Sequence, residues 1–191
     1  MIYIATGCLG FLVIQFSDIV SLERLPRAKP FTWILGSGLL VYVLMMVCLQ
    51  AERMSLPIWP AWLGWALLVI SFLLLIHSPL INLPFHKTYI ADSVAAKPIR
   101  SGLYALVRHP EVHWFILVLF SLILVSKSGL LLIATPMLIL LDIVLVIAQD
   151  DIFFGRIFTG CDDYRQETQM LVPNLKSINA FINASNHQFR A

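Results

Sequence analysis

Two short polar clusters in an otherwise apolar chain contain the residue types that could bind a ligand or move a proton. The first ends with the run Arg108, His109 and Pro110, and the second is the acidic pair Asp150 and Asp151. An arginine can form a bidentate contact with a carboxylate, and a histidine can exchange a proton near neutral pH. Together these side chains could orient a polar ligand and stabilise its charge.

The composition indicates which environment surrounds these clusters. The chain has 191 residues, of which 59% are hydrophobic and 13% are charged, whereas a soluble domain has about 45–50% apolar and about 25% charged residues. A chain of this length has too little interior to bury so much apolar surface. The formal net charge of +2 is too small to indicate nucleic-acid binding. We therefore expect one membrane domain over residues 1–191, with three N-terminal spans in 1–80, a hairpin region in 81–175 and a polar tail in 176–191.

Five apolar stretches are long enough, or nearly so, to cross a bilayer, which takes about 20 residues. The chain is therefore expected to be an all-α polytopic membrane protein with about five transmembrane helices, over residues 2–20, 31–49, 59–76, 112–126 and 130–148. Only three residues, Lys127 to Gly129, separate the last two spans. Such a short connection predicts a C-terminal helical hairpin of two antiparallel neighbours.

The lysines and arginines predict the orientation of these spans, because cytosolic connections are rich in them. Of the thirteen, only Arg53 and Lys127 lie on one side, and the other eleven lie between spans one and two, between spans three and four, and after span five. We therefore expect the N-terminus outside and the C-terminal tail in the cytosol. A compact chain without a targeting segment favours a bacterial inner membrane.

The predicted hairpin brings the two polar clusters to one place. Arg108 and His109 immediately precede span four, and Asp150 and Asp151 immediately follow span five. Since the two spans are antiparallel, these ends lie at the same membrane level, on the cytosolic side. The sequence thus predicts that a basic and imidazole cluster faces a pair of carboxylates.

The residues of the first cluster match a family signature. Gly102-x-Tyr104-x-x-x-Arg108-His109-Pro110 resembles a motif of the membrane-embedded methyltransferases related to isoprenylcysteine carboxyl methyltransferase and phospholipid methyltransferase. The family's second element is an acidic pair after the next helix, followed by aromatic residues, a glycine and Val-Pro. It resembles a set of residues that follows span five: Asp150, Asp151, Phe158, Gly160, Tyr164, Val172 and Pro173.

The resemblance implies that S-adenosyl-L-methionine binds at the cytosolic end of the hairpin and that a lipophilic or small acceptor, a thiol, a carboxylate or a lipid amine, receives its methyl group. No metal is needed for this reaction. Arg108 and His109 are the expected catalytic residues, the first through a bidentate contact with the cofactor carboxylate and the second by contacting the adenine or accepting a proton. The expected cofactor-binding residues are Tyr104, Arg108, His109, Pro110, Asp150 and Asp151.

Other interpretations stay open at this stage. Aspartates replace the family's glutamates, and the tyrosine expected two residues after Pro110 is missing. A reductase of sterol-like or polyprenyl substrates that uses a nicotinamide cofactor, or a non-catalytic membrane scaffold, would also be compatible with the hairpin. Arg108 could simply be a cytosolic membrane anchor, and His109 could simply cap a helix.

Several further residues carry structural expectations. The scattered Cys8, Cys48 and Cys161 indicate neither a disulfide framework nor a zinc site. A charge deep in span five is costly, so Asp142 should face the bundle interior. Gly36 and Gly38 favour close packing of span two. The sequence also predicts an interfacial or re-entrant segment at residues 80–85, and frayed structure in the last dozen residues.

Overall fold

The computed structural model describes residues 2–22, 28–49, 53–78, 102–154 and 161–188, and apart from short connections these ranges are helical. This confirms the all-α prediction. In chain order the helices are α1 (Ile2–Leu22), α2 (Ala28–Cys48), α3 (Trp59–His77), α4 (Leu103–Leu106), α5 (Pro110–Ser126), α6 (Gly129–Ala148), a π-helical turn (Gln149–Phe154), α7 (Cys161–Glu167) and α8 (Leu175–Gln188).

Three segments in the described part of the chain are long and apolar enough to cross a membrane: Pro30–Cys48, Trp59–His77 and Gly129–Ile152. Two shorter apolar helices, Ile2–Ser17 and Pro110–Ser126, accompany them. Large apolar side chains such as Trp62 and Ile133 point away from the protein and are at least 70% exposed. A lipid environment accommodates such surfaces, whereas water would not. The chain is therefore a membrane protein.

The helical bundle has a core where four of the long helices meet. α1 packs mainly against α2, and α3 packs mainly against α5, while α6 contacts α1, α2 and α5. The core is formed by buried side chains from α1, α2, α5 and α6, which are Phe11, Val43, Val47, Leu119, Ile123, Leu131, Ala134 and Leu138. This core fixes α5 and α6 side by side, as the hairpin prediction requires.

The turn of the α5–α6 hairpin is held by hydrogen bonds to neighbouring segments. Lys127 adopts a left-handed conformation with φ 56°, which reverses the chain after α5, and its Nζ donates to the carbonyl oxygen of Leu56 at 2.7 Å. The Ser128 hydroxyl accepts from the Leu131 N–H at the start of α6 and donates to the Val47 carbonyl oxygen. These bonds fix the position at which α6 begins.

The two glycines of α2 behave differently. A Cβ atom added to Gly36 would lie 2.6 Å from Ile14 Cγ1 and 2.9 Å from the Gly10 carbonyl oxygen, so the backbones of α1 and α2 touch there. A Cβ atom at Gly38 would meet nothing within 4 Å. The expectation of close packing is therefore confirmed for Gly36 and wrong for Gly38, which lies on the open side of the helix.

The tail is more ordered than the sequence suggests. The last dozen residues were expected to be frayed, but α8 extends to Gln188. Its start is fixed by a reciprocal cap, in which the Ser177 N–H donates to Asn174 Oδ1 at 2.7 Å and the Asn174 N–H donates to Ser177 Oγ at 3.0 Å. This arrangement resembles a capping box and stabilises the first turn. The predicted re-entrant segment at 80–85 lies outside the described residues.

The α1–α2 contact generates a matched stability prediction. Gly36→Ala should lower the free energy of unfolding by about 1–3 kcal/mol, because the new methyl group overpacks a backbone contact. Gly38→Ala adds the same methyl group two residues along the helix, where there is open space, and should be neutral or slightly stabilising. Thermal unfolding of the two detergent-purified variants measures the difference. Equal transition temperatures would contradict the close approach of the two backbones.

Candidate functional site

An ion pair between Arg108 and Asp150 joins the two ends of the hairpin. Arg108 Nε donates to Asp150 Oδ1 at 3.0 Å, and Nη2 donates to Oδ2 at 2.7 Å, which is a bidentate arrangement. Only 9% of the Arg108 side chain and 5% of the Asp150 side chain are exposed. The structure thus brings together the two clusters that the sequence placed at one membrane level.

The last turn of α7 and the residues that follow it contact this ion pair. Arg108 Nη1 donates to the carbonyl oxygens of Thr168 at 2.6 Å and Arg165 at 3.3 Å. The main chain is also attached, because the Arg108 N–H donates to Gln169 O and the His109 N–H donates to Met170 O. We call residues 164–170 the tail strap. Arg108 therefore binds both the end of the hairpin and the strap.

A second arginine, Arg165, reaches the same aspartate from the strap. Its Nη2 donates to the main-chain oxygen of Asp150, and its Nε lies 3.7 Å from Asp150 Oδ2. The Arg165 side chain is 30% exposed, unlike the nearly buried Arg108. Of the two guanidinium groups at Asp150, that of Arg165 is therefore the one within reach of an incoming ligand.

His109 lies between two carboxylates. Its Nδ1 is 2.9 Å from Glu111 Oε1, and its Nε2 is 3.6 Å from Asp150 Oδ1. The residue occupies the N-cap position of α5, but its side chain makes no capping hydrogen bond, so helix capping does not account for it. Burial opposes protonation of the imidazole, yet the interactions with Asp150 and Glu111 outweigh burial and raise the pKa of His109 to about 9.

Tyr104 connects α3, α4 and the tail strap. Its hydroxyl donates to the Ser78 carbonyl oxygen at 3.2 Å, and its own carbonyl oxygen accepts from the Tyr164 hydroxyl at 2.6 Å. The preceding Gly102 has φ 60° and ψ −141°, a conformation that residues with a Cβ atom rarely adopt. The glycine and the tyrosine of the motif thus position the chain that leads to Arg108.

The other two predicted site residues lie in different environments. Pro110 is buried as the first residue of α5, where a missing N–H is tolerated. Asp151, in contrast, is exposed and lies outside the cluster. Of the carboxylate pair that the sequence predicts opposite Arg108, the structure places Asp150 in contact with the arginine. Consecutive residues of a helix point in different directions, so only Asp150 faces inwards.

Several polar atoms near this cluster are buried without a hydrogen-bond partner among the described residues. They include Glu111 Oε2 and Trp114 Nε1 on α5, Asp142 Oδ2 on α6, and Gln15 Oε1 on α1. Buried polar groups normally find a partner in protein, water or a ligand. The buried oxygen of Asp142 agrees with the prediction that this residue faces the bundle interior. These atoms make the region next to His109 suitable for a polar group.

Sequence reasoning missed three residues that shape the site. Glu111 was read only as part of the departure from the family motif, Arg165 only as one of the cytosolic basic residues, and Thr168 not at all. Arg165 and Thr168 lie nearly sixty residues from Arg108 along the chain, and Thr168 acts through its main-chain oxygen, which leaves no signal in residue type. The position of Glu111, two residues after a histidine, was the only available clue.

The two adjacent aspartates provide a matched test of the ion pair. Asp150→Asn should destabilise the protein by about 3–5 kcal/mol, because it leaves the buried guanidinium of Arg108 without its counter-charge. Asp151→Asn makes the same chemical change at an exposed position and should alter stability by less than about 0.5 kcal/mol. Thermal unfolding of both variants in the same detergent gives the comparison. Similar losses for the two would refute the assignment of Asp150 as the buried partner.

The environment of His109 predicts an unusual titration. In an unfolded chain its pKa is 6.5, and in the folded protein it is about 9. Protonated His109 therefore stabilises the fold by a few kcal/mol below pH 6.5, and this contribution is lost as the pH rises through about 9. Ring nitrogen NMR of histidine-labelled protein, assigned with His109→Gln, should show a midpoint near 9. A midpoint near 6.5 would mean that the two carboxylates do not stabilise the imidazolium.

Comparison of the chain with protein-family models, curated proteins and solved structures found no match. The activity must therefore be inferred from the chain's own residues and contacts.

Proposed function

We propose that the protein is a methyltransferase that uses S-adenosyl-L-methionine and acts at the cytosolic face of the membrane. Its acceptor would be a lipophilic or small molecule with a thiol, carboxylate or amine group. Two features support this proposal: the Gly102-to-Pro110 motif, and the contact of Arg108 and His109 with Asp150. The second feature carries the proposal, because it makes one polar site from residues at the start of α5 and at the end of α6.

The charge of the site suits an amino-acid cofactor. Three groups are cationic at neutral pH, namely Arg108, Arg165 and the protonated His109, and they surround the carboxylates of Asp150 and Glu111. Among these five groups positive charge exceeds negative charge, which favours a carboxylate such as that of the methionine portion. Arg165 is the most suitable partner for it, since its side chain is partly exposed. Asp151, exposed beside the site, could accept from ribose hydroxyls or an ammonium group.

The contacts support roles for Arg108 and His109 that differ from the catalytic roles implied by the motif. Arg108 makes four hydrogen bonds to Asp150 and to the tail strap, so it serves as a positioning residue. His109 is protonated at neutral pH and therefore holds a positive charge in the site, which argues against a role as the base.

When bound, S-adenosyl-L-methionine supplies an activated methyl group. What the chain must then provide is orientation, and a fixed geometry can lower a barrier by several kcal/mol. The buried oxygens of Glu111 and Asp142 and the indole N–H of Trp114 can align the polar end of an acceptor beside His109. The apolar surfaces of α5 and α6 would accommodate a lipophilic portion.

We further propose that all five long helices cross the membrane, with the N-terminus outside. α5 has 17 residues, which at ~1.5 Å per residue span about 25 Å, close to the ~30 Å thickness of a bilayer core. α1 has 21 residues. The distribution of eleven basic residues against two supports a cytosolic location of the site, and a bacterial inner membrane is the proposed location.

This topology can be measured by labelling cysteines in intact cells. In a chain whose native cysteines are replaced by serine, Ser55→Cys should react with a membrane-impermeant maleimide, because it precedes α3 on the outer side. Glu167→Cys, which is equally exposed but in the tail, should react only after the cells are permeabilised. The reverse pattern would place the Arg108 cluster outside the cell.

Cofactor binding is the decisive test of the proposed activity. Isothermal titration calorimetry of the purified protein in nanodiscs should show that it binds S-adenosylhomocysteine with micromolar affinity. His109→Gln removes one of the charges that face Asp150 and should weaken binding at least tenfold. The exposed His77→Gln should bind like the original protein. Thermal unfolding confirms beforehand that both variants are folded.

The same titration separates the alternatives. If the original protein binds no S-adenosylhomocysteine in nanodiscs or in detergent, the methyltransferase proposal fails. Binding of a nicotinamide cofactor instead would support a membrane reductase. Binding of neither would indicate a scaffold, in which the Arg108–Asp150 pair serves only to join the hairpin to the tail strap.

A further inference from the structure

Helix α8 presents an apolar face that the rest of the described chain leaves uncovered. Leu175, Ile178 and Ile182 follow the helical spacing of three and four residues, so they lie on one side. Their exposed fractions are 81%, 37% and 48%. Val172, which precedes the capping Asn174 by two residues, is a further apolar side chain that is 75% exposed.

The opposite side of α8 is attached to the protein. Ser177 is fully buried, and α8 packs against the short helix α4. α4 is separated from α5 by only three residues, the last of which is His109. α8 therefore lies at the level where α5 enters the apolar part of the bundle, which is the boundary of the membrane.

We propose that the exposed face of α8 lies in the membrane interface and binds the lipid surface on the side of the Arg108 cluster. The aliphatic side chains that it exposes are of the same kind as those that α3 and α6 expose to lipid. Lys176 is exposed outside this apolar face, and its long side chain can extend the amine to the headgroup phosphates. A helix with one apolar face and polar residues on the other is typical of interfacial binding.

This placement would hold the site together. Along the chain the tail strap lies between the π-helical turn and α8, and it supplies the main-chain acceptors for Arg108. Lipid binding by α8 fixes the far end of the strap, while the Tyr164 hydroxyl fixes the near end on Tyr104. The membrane surface thereby favours the closed strap. The proposal does not depend on methyl transfer, because it concerns only the location of α8.

The test uses the full chain in nanodiscs that contain one copy each, with the native cysteines replaced by serine. A nitroxide label at Ile178→Cys or Ile182→Cys should be accessible to oxygen and protected from a water-soluble nickel chelate. The matched label at Lys176→Cys should show the opposite preference. The rate of hydrogen exchange in residues 175–182 should increase when a dilute detergent replaces the nanodiscs. It should also increase in the double variant Ile178→Asp, Ile182→Asp. The exchange rate in α6 should stay unchanged in both cases.

Two results would overturn the proposal. Equal access of the nickel chelate to labels at 178 and 176 would show that this face lies in water. The second result is a contact between two copies of the chain. If labels at 178 show dipolar broadening only in nanodiscs loaded with two copies, and oxygen is excluded from them, a second copy covers the face. Because the readouts are label access and exchange, a failed cofactor titration would not affect them.

Discussion

The buried carboxylate of Asp150 is the interaction on which the site depends. It lies where α6 ends, and it contacts three basic side chains from two other parts of the chain, namely Arg108, His109 and Arg165. A buried charge without a partner is strongly unfavourable, so the position of Asp150 dictates that these residues converge on it. The carboxylate thus determines the conformation of the segment before α5 and of the tail strap at once.

The hairpin makes this convergence possible. Lys127 and Ser128 fix the turn between α5 and α6, and the apolar core holds the two helices side by side along their length. Their other ends are then close in space although Arg108 and Asp150 are 42 residues apart. Apolar packing in the membrane therefore determines the geometry of a polar site at its surface. The ion pair adds specificity, since a shift of either helix by one turn would separate the two charged groups.

Much of this architecture was accessible from the sequence, and the reasons are physical. Hydrophobic length predicts where long helices lie, and the three-residue turn leaves only one arrangement for α5 and α6. The meeting of Arg108 with Asp150 followed from these two facts alone. Which of two adjacent aspartates faces inwards did not follow, because it depends on the rotation of the π-helical turn at Gln149–Phe154.

The contacts that the tail makes with the site could not be predicted from the sequence either. Thr168, Gln169 and Met170 bind through main-chain oxygens, and any residue type offers such an oxygen. The polar composition of residues 180–191 predicts frayed structure, yet α8 extends to Gln188, and a local feature, the reciprocal cap between Asn174 and Ser177, starts this helix. Pairs of short polar residues at this spacing carry a signal that composition hides.

The arrangement links the lipid surface to the charge balance at Asp150. Without the tail strap, Arg108 would lose the acceptors at Thr168 and Arg165, and the cation Arg165 would leave the aspartate. The site would then hold one positive charge fewer and be more open to water, which weakens every remaining electrostatic contact. A strap that is closed at the membrane surface and looser away from it would make the site complete only in contact with lipid, where the proposed lipophilic acceptor would be found. The contacts of one buried carboxylate thus connect the packing of the hairpin, the order of the tail and the polarity of the site.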